Sequence, residues 1–266
     1  VRGVCKEKDE LNNEALMIAS IEHGAVRELH INRPPANALS PELIVELKTN
    51  IQACATNAGA VVLSGVPGMF SAGLDVPLLL TLNRPKMNEV WREFYALLGS
   101  LACSPIPIAA AITGHAPAGG TVLPLFCDFR CMAEGNWKMG FTEVQVGLPL
   151  PPVIVAALKR QLGARQAERL AAGGVLLSPA EALNIGLIDE VVAAEKLVPR
   201  AVEWCENMLK LPSKAMSETR AKARADMPAL FESLDSEMDA VAASWWSEEA
   251  QRTLRAVAER LAKKKP

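Results

Sequence analysis

Three segments of this chain hold residues whose types and spacing could do chemistry. Lys138–Gly147 sets Glu143 beside Met139, Phe141, Val144 and, just beyond, Leu148. Partial desolvation by such neighbours raises a carboxyl pKa toward that of a working general base. Gly114–Gly120 is a glycine-rich bend between a strand-like run and the apolar stretch Thr121–Phe126. Backbone N–H groups left free at the start of a helix suit an anion or an oxyanion. Met69–Asp75 follows a buried strand and a loop with Gly65, Pro67 and Gly68. Its small residues let a ligand approach the backbone, and the N–H just after Gly73 could point into a cleft. Each segment also has a plainer reading: a solvated glutamate, glycines for close helix packing, and a simple strand-to-helix turn.

Other chemistries are poorly supplied. The chain has three histidines and six scattered cysteines, with no CxxC pair. Cys127 and Cys131 are four apart, but no histidine lies near them, so no metal site is expected. The glycine-rich bend is not followed by Gly-Lys-Ser/Thr and is not GxGxxG, so phosphate-loop and dinucleotide sites are unsupported. His115 has no Asp or Ser partner nearby and reads as structural. Trp91, Phe94 and Tyr95 fall at helical spacing and read as core or tunnel wall; Trp245-Trp246 reads as an interface pair.

These segments need elements to hold them. Ala15–Ile21 and Ala25–Ile31 read as short strands around a His23-Gly24 turn. Ser40-Pro41-Glu42 is a helix start: a hydroxyl cap, proline at the first helical position, an acid in the first turn. Leu43, Ile44, Leu47, Ile51 and Cys54 follow at helical spacing. Ala60–Ser64, Pro107–Thr113 and Phe129–Ala133 read as buried strands, so helices alternate with strands in an α/β layer architecture. Beyond Leu148 the chain turns helical: Val153–Leu162, Ala164–Ala172 and Pro179–Ile185, then a last strand, Ile188–Val192. After Ala194 only helices are expected: Glu195–Lys210, Ser213–Ala225, one around Leu230–Ala243, and Ser247–Ala262. No repeat is evident from the residues.

At 266 residues, 50% hydrophobic and 22% charged, the chain can bury a sizeable core. A net charge of −2 argues against a dedicated nucleic-acid binder. No apolar run reaches the roughly 18 residues of a membrane helix. The dilute cysteines read as reduced, mostly buried thiols in a reducing compartment. Val1–Asn13 is polar and unlike a signal peptide; Met17 opens the first apolar stretch. Residues 1–16 are therefore expected to be a leader or added remnant, 17–200 the core, and 201–266 a helical region.

Taken in order, the motifs resemble the crotonase superfamily, that is, the enoyl-CoA hydratase/isomerase family. Asn32-Arg33-Pro34 with Asn37-Ala38-Leu39-Ser40 is similar to its first signature and Phe70–Asp75 to its second. Ala118-Gly119-Gly120 through Cys127-Asp128 is similar to the third. A later marker is resembled by Pro179–Leu183, Gly186–Asp189 and Val191-Val192. The resemblance implies a spiral of ββα units with a C-terminal helical region that makes trimers, which often pair into hexamers. It implies an acyl-CoA thioester substrate and an enolate held by two backbone N–H groups, which by motif are those of Leu74 and Gly119. Coenzyme A, as part of the substrate, would lie along Ala36, Asn37 and Ala38 and along Ala72, Gly73, Leu74 and Asp75. Family hydratases use two glutamates, one of them three residues after the oxyanion glycine, where this chain has Val122. Glu143 remains, a pattern similar to the mitochondrial-type Δ3,Δ2-enoyl-CoA isomerases. Ala118 departs from the usual first glycine, and Thr142, expected near the substrate, stands where asparagine is frequent. The implied reaction shifts a 3-enoyl-CoA to its 2-enoyl isomer in unsaturated fatty acid oxidation, with no separate cofactor. A hydratase, thioesterase, decarboxylase or silent acyl-CoA binder of the same fold is the alternative. A bacterial cytoplasm or a mitochondrial matrix is the expected location.

Overall fold

In the computed structural model, residues 16–232 and 234–263 are described. The expected leader lies outside them except for the exposed Leu16. A hairpin opens the fold: β1 (Ile18–His23) and β2 (Val26–Ile31) pair antiparallel around Gly24, Ile18 opposite Ile31. Helix α1 (Pro41–Asn57) follows, with the Ser40 side chain accepting from the Leu43 N–H. Its buried stripe is Leu43, Ile44, Leu47, Ile51 and Cys54.

A unit then recurs: a strand in one sheet, a very short strand in a second, and a helix. Strand β3 (Ala60–Gly65) leads to β4 (Gly68–Met69), α2 (Val76–Leu79) and α3 (Arg84–Ala102). Strand β5 (Ile108–Ile112) leads to β6 (Gly114–Pro117) and α4 (Gly119–Leu125). Strand β7 (Phe129–Ala133) leads to β8 (Met139–Gly140), a 3₁₀ turn at Glu143–Val146 and α5 (Pro152–Leu162). The chain continues through α6 (Ala164–Gly173), β9 (Leu176–Leu177), α7 (Pro179–Asn184) and β10 (Glu190–Val192). It ends with α8 (Leu197–Leu209), α9 (Ser213–Ala223), α10 (Asp226–Ala229), α11 (Leu234–Trp245) and α12 (Glu248–Lys263).

The large sheet runs β1-β2-β3-β5-β7-β10, parallel from β2 onward; the small one runs β4-β6-β8-β9. Every residue of β3, β5 and β7 is buried, as expected of parallel strands covered on both faces. Helices α1 and α3 cover one face. Helix α8 covers the other, setting Ala201 and Cys205 against Ala109, Ala111 and Cys131. The division at residue 200 therefore falls inside a helix that packs on the sheet. The helix expected around Leu230–Ala243 is α11, and the short α10 precedes it. Cys54, Cys127, Cys131 and Cys205 are buried free thiols, while Cys103 is exposed. No helix of the described residues is long and apolar enough to cross a membrane.

Candidate active site

The site forms where the small sheet hands the chain to helices. After β4 the backbone turns through Gly73, at φ +79°, and after β6 it turns through Ala118, at φ +50°, into α4. The two turns touch. A Cβ on Gly73 would lie 2.8 Å from the Gly119 nitrogen, and one on Gly119 would lie 3.0 Å from Gly73 Cα. Only glycine at both positions lets the Gly73–Leu74 peptide sit against the start of α4. Among the described residues neither the Leu74 N–H nor the Gly119 N–H has a backbone acceptor. Both residues line one cavity of about 190 Å³.

Glu143 opens the 3₁₀ turn after β8 and lines the same cavity. Its Oε2 is shielded from solvent and has no hydrogen-bond partner among the described residues. Burial pushes its carboxyl up to about 7, against a smaller downward pull from a backbone hydrogen bond. Thr121 ties α4 to the strand before Glu143: its hydroxyl donates to Ala116 O and accepts from the Gly140 N–H at 2.7 Å. Sequence reasoning missed this residue, whose one signal was a hydroxyl opening an apolar run.

The rest of the wall is apolar. Trp91 and Phe94 reach it from α3, Val241 and Trp245 from α11, Leu254 and Val257 from α12. Trp245 corrects an expectation: it is fully buried in the wall, edge-on to Trp91 at 6.2 Å, rather than at an outer interface. Val122 lines the cavity where a second carboxyl could have stood.

Of the residues expected at the site, Ala72, Leu74, Gly119, Thr142 and Glu143 line this cavity. Ala36, Asn37, Ala38, Gly73 and Asp75 are not among its lining residues. Asn37 is a correction as a ligand contact, because it is fully buried at φ +49°. Its amide donates to the carbonyls of Ile31, Met69 and Phe70 and accepts from the Arg33 N–H, which uses up the side chain. Ser71 donates to Asn37 O at 2.8 Å, and the Ala72 N–H donates to Ala36 O. The Asp75 carboxylate caps α2 through the Leu78 N–H and pairs with Arg33 at 2.8 Å, while Arg33 also donates to Ala38 O. These residues hold the Leu74 loop in place. His115 accepts from the Lys138 N–H at 3.1 Å and packs edge-on against Trp137. Among the described residues, no group of three or more His, Cys, Asp or Glu could hold a metal ion.

A buried carboxyl thus shares an apolar cavity with two residues whose N–H groups have no backbone acceptor among the described residues, an arrangement able to move a proton next to a carbonyl whose oxygen gains charge. The family model for enoyl-CoA hydratase/isomerase matches residues 22–264. The mouse protein "Enoyl-CoA delta isomerase 1, mitochondrial" is 31% identical over 80% of this chain and 76% of its own length. A "Probable enoyl-CoA hydratase echA17" of Mycobacterium avium is 36% identical over 77% of this chain and 78% of its own. The crystal structure of human mitochondrial delta3-delta2-enoyl-CoA isomerase superposes with a TM-score of 0.89 at 28% identity, covering 94% of this chain and all of that one. This chain therefore belongs to the enoyl-CoA hydratase/isomerase family, with the crotonase fold.

Proposed function

We propose that this enzyme is a Δ3,Δ2-enoyl-CoA isomerase working with a single carboxyl group. The observation that carries the reading is Glu143, whose Oε2 has no hydrogen-bond partner among the described residues, in a cavity that Val122, Leu74 and Gly119 also line. Ionised Glu143 removes a C2 proton from a 3-enoyl-CoA. The thioester oxygen gains charge and is held by the Leu74 and Gly119 N–H groups, with the start of α4 adding its dipole. The same carboxyl then returns the proton at C4, giving the conjugated 2-enoyl-CoA. The shuttle uses one base on one face and no separate cofactor. The CoA portion passes Ala36 and Ala38 and the backbone of Ala72–Asp75, and Thr142 flanks the reacting carbons. Assembly as a trimer or a pair of trimers goes with this reading, as does a cytoplasmic or matrix location; sedimentation checks the first.

Hydration is the second reading, favoured by the name of the mycobacterial relative. It needs a group to position water, and Val122 has none to offer. The test follows conjugated-thioester absorbance with trans-3-hexenoyl-CoA and, separately, trans-2-hexenoyl-CoA. Growth from the first without loss from the second is expected. Loss from the second means hydration, and binding without turnover of either means a silent acyl-CoA binder. Leu74→Pro removes one donor N–H and should lower kcat by about 10²–10³. An unchanged rate in the folded variant places the oxyanion site elsewhere.

A further inference from the structure

Leu74, Gly119 and Glu143 reach the cavity from separate chain segments, and enolate chemistry requires them in register. The first two are joined directly: Gly73 meets Gly119, and a Cβ on Gly120 would lie 2.1 Å from Ser71 O. Glu143 arrives from elsewhere, on the turn after β8. The seam between α4 and β8 therefore sets where the carboxyl stands relative to the Gly119 N–H.

That seam centres on Gly140. Strands β6 and β8 pair over two steps, Ala116 opposite Met139 and Pro117 opposite Gly140. The Gly140 carbonyl accepts from the Ala118 N–H at 2.8 Å, and the Gly140 N–H donates to the Thr121 hydroxyl at 2.7 Å. One residue of β8 is thus bonded to two residues that bracket Gly119. The buried Thr121 hydroxyl also donates to Ala116 O, so a single oxygen on α4 engages both strands of the pair. On its other flank Gly140 is hemmed in: it sits at φ +149°, and a Cβ there would lie 2.1 Å from Val175 O. Glu143 follows three residues later, with the fully buried Phe141 between them. Thr121 is not among the residues lining the cavity, so any effect it has on the reaction passes through others.

We propose that Thr121 is a positioning residue whose hydroxyl holds the Glu143 carboxyl in register with the Gly119 donor; the inference rests on the enolate reading of the cavity given above. Without the hydroxyl, the Gly140 N–H and the Ala116 carbonyl lose the oxygen that binds both, and β8 resettles against β6. A misplacement of about 1 Å between reacting groups can cost on the order of 10² in rate. Substrate binding, which draws on the rest of the cavity wall, is left largely intact.

The test compares the full chain with Thr121→Val, which keeps the shape and removes the hydroxyl, and Thr121→Ser, which keeps the hydroxyl. Each is assayed on trans-3-hexenoyl-CoA and trans-2-hexenoyl-CoA, and the comparison is made on whichever one wild type consumes. Thr121→Val should lower kcat about 10–100-fold and leave KM within about threefold of wild type. Thr121→Ser should restore most of the rate. The low-pH limb of kcat/KM should stay in place, because the hydroxyl bonds to Ala116 and Gly140 rather than to Glu143. A limb moved to lower pH means that water has entered the cavity, and overturns the positioning role. Ile51→Val, in the buried stripe of α1, controls for lowered stability alone and should keep the wild-type kcat. An equal fall in that variant and in Thr121→Val overturns the proposal. So does a Thr121→Ser as slow as Thr121→Val, a raised KM at unchanged kcat, or an unchanged kcat in folded Thr121→Val. If Thr121→Val does not fold, Thr121→Ala is judged by the same criteria. A wild type inert on both substrates removes the enolate reading and this inference with it. An active wild type indifferent to Thr121→Val removes the inference alone.

Discussion

Glu143 keeps its proton at pH values where an exposed glutamate has lost it, and this has two consequences of opposite sense. As a base it must be ionised, so kcat/KM on a 3-enoyl-CoA should rise with pH through about 7 and then level off. For stability the direction reverses. The folded chain holds this proton more tightly than the unfolded chain, whose carboxyl titrates near 4.5. Stability is therefore lost as pH rises from the unfolded to the folded value, by about 3 kcal/mol when complete. Glu143→Gln should accordingly raise Tm at pH 8 while leaving it nearly unchanged at pH 4. The same variant should lower kcat by about 10²–10⁴. Thermal unfolding at both pH values is the check; an unchanged Tm at pH 8 would mean that the carboxylate is solvated. That Leu74, Gly119 and Glu143 share one cavity was legible at this scale because each lies in a short local motif. Asn37 was not, because an asparagine in a proline-rich loop looks the same whether its amide faces a ligand or three carbonyls. Only the return of Met69 and Phe70 to its side decides which.

Two loops, 33–40 and 70–75, act as one element because Asn37 and Arg33 bind both. Asn37→Ala would leave the Ile31, Met69 and Phe70 carbonyls without their side-chain donor and put alanine at φ +49°. A destabilisation of about 2–4 kcal/mol is expected from the lost bonds and the backbone strain. The Leu74 N–H should move with the loop, so kcat should fall more than KM rises. Denaturant unfolding and steady-state kinetics measure the two effects. Among the elements, α1 was readable from its cap and its apolar stripe, and β3, β5 and β7 from unbroken apolar runs. The ββα repeat was invisible in the residues because β4 and β8 have two residues each and β6 four, too few to show a period. Tertiary pairing, not local pattern, makes those strands.

In the whole molecule, Asp128 fastens the late helices to the core. It pairs with Arg220 at 2.8 Å and Arg224 at 3.0 Å, both on the α9 side, and accepts from Ile108 at the start of β5. Asp128→Asn would leave two largely buried guanidiniums facing a neutral amide. A loss of about 3–5 kcal/mol is expected, measured by denaturant unfolding. Helicity beyond residue 194 was legible from composition and spacing. The placement of those helices was not: α8 crosses the sheet, and α11 and α12 close the cavity that holds Glu143. Their apolar faces alone could not say what they cover. That closure sets an acidity. Leu254 and Val257 of α12 and Trp245 of α11 help exclude water from the cavity that holds the Glu143 carboxyl, and Ala250 packs on Gly147 at the end of its turn. With these helices undocked, Glu143 would meet water and revert to an ordinary acid, and its conjugate base would be weaker by the same shift. Base strength is thus conferred by the last two helices of the chain, and the low-pH limb of the rate profile becomes a gauge of their docking.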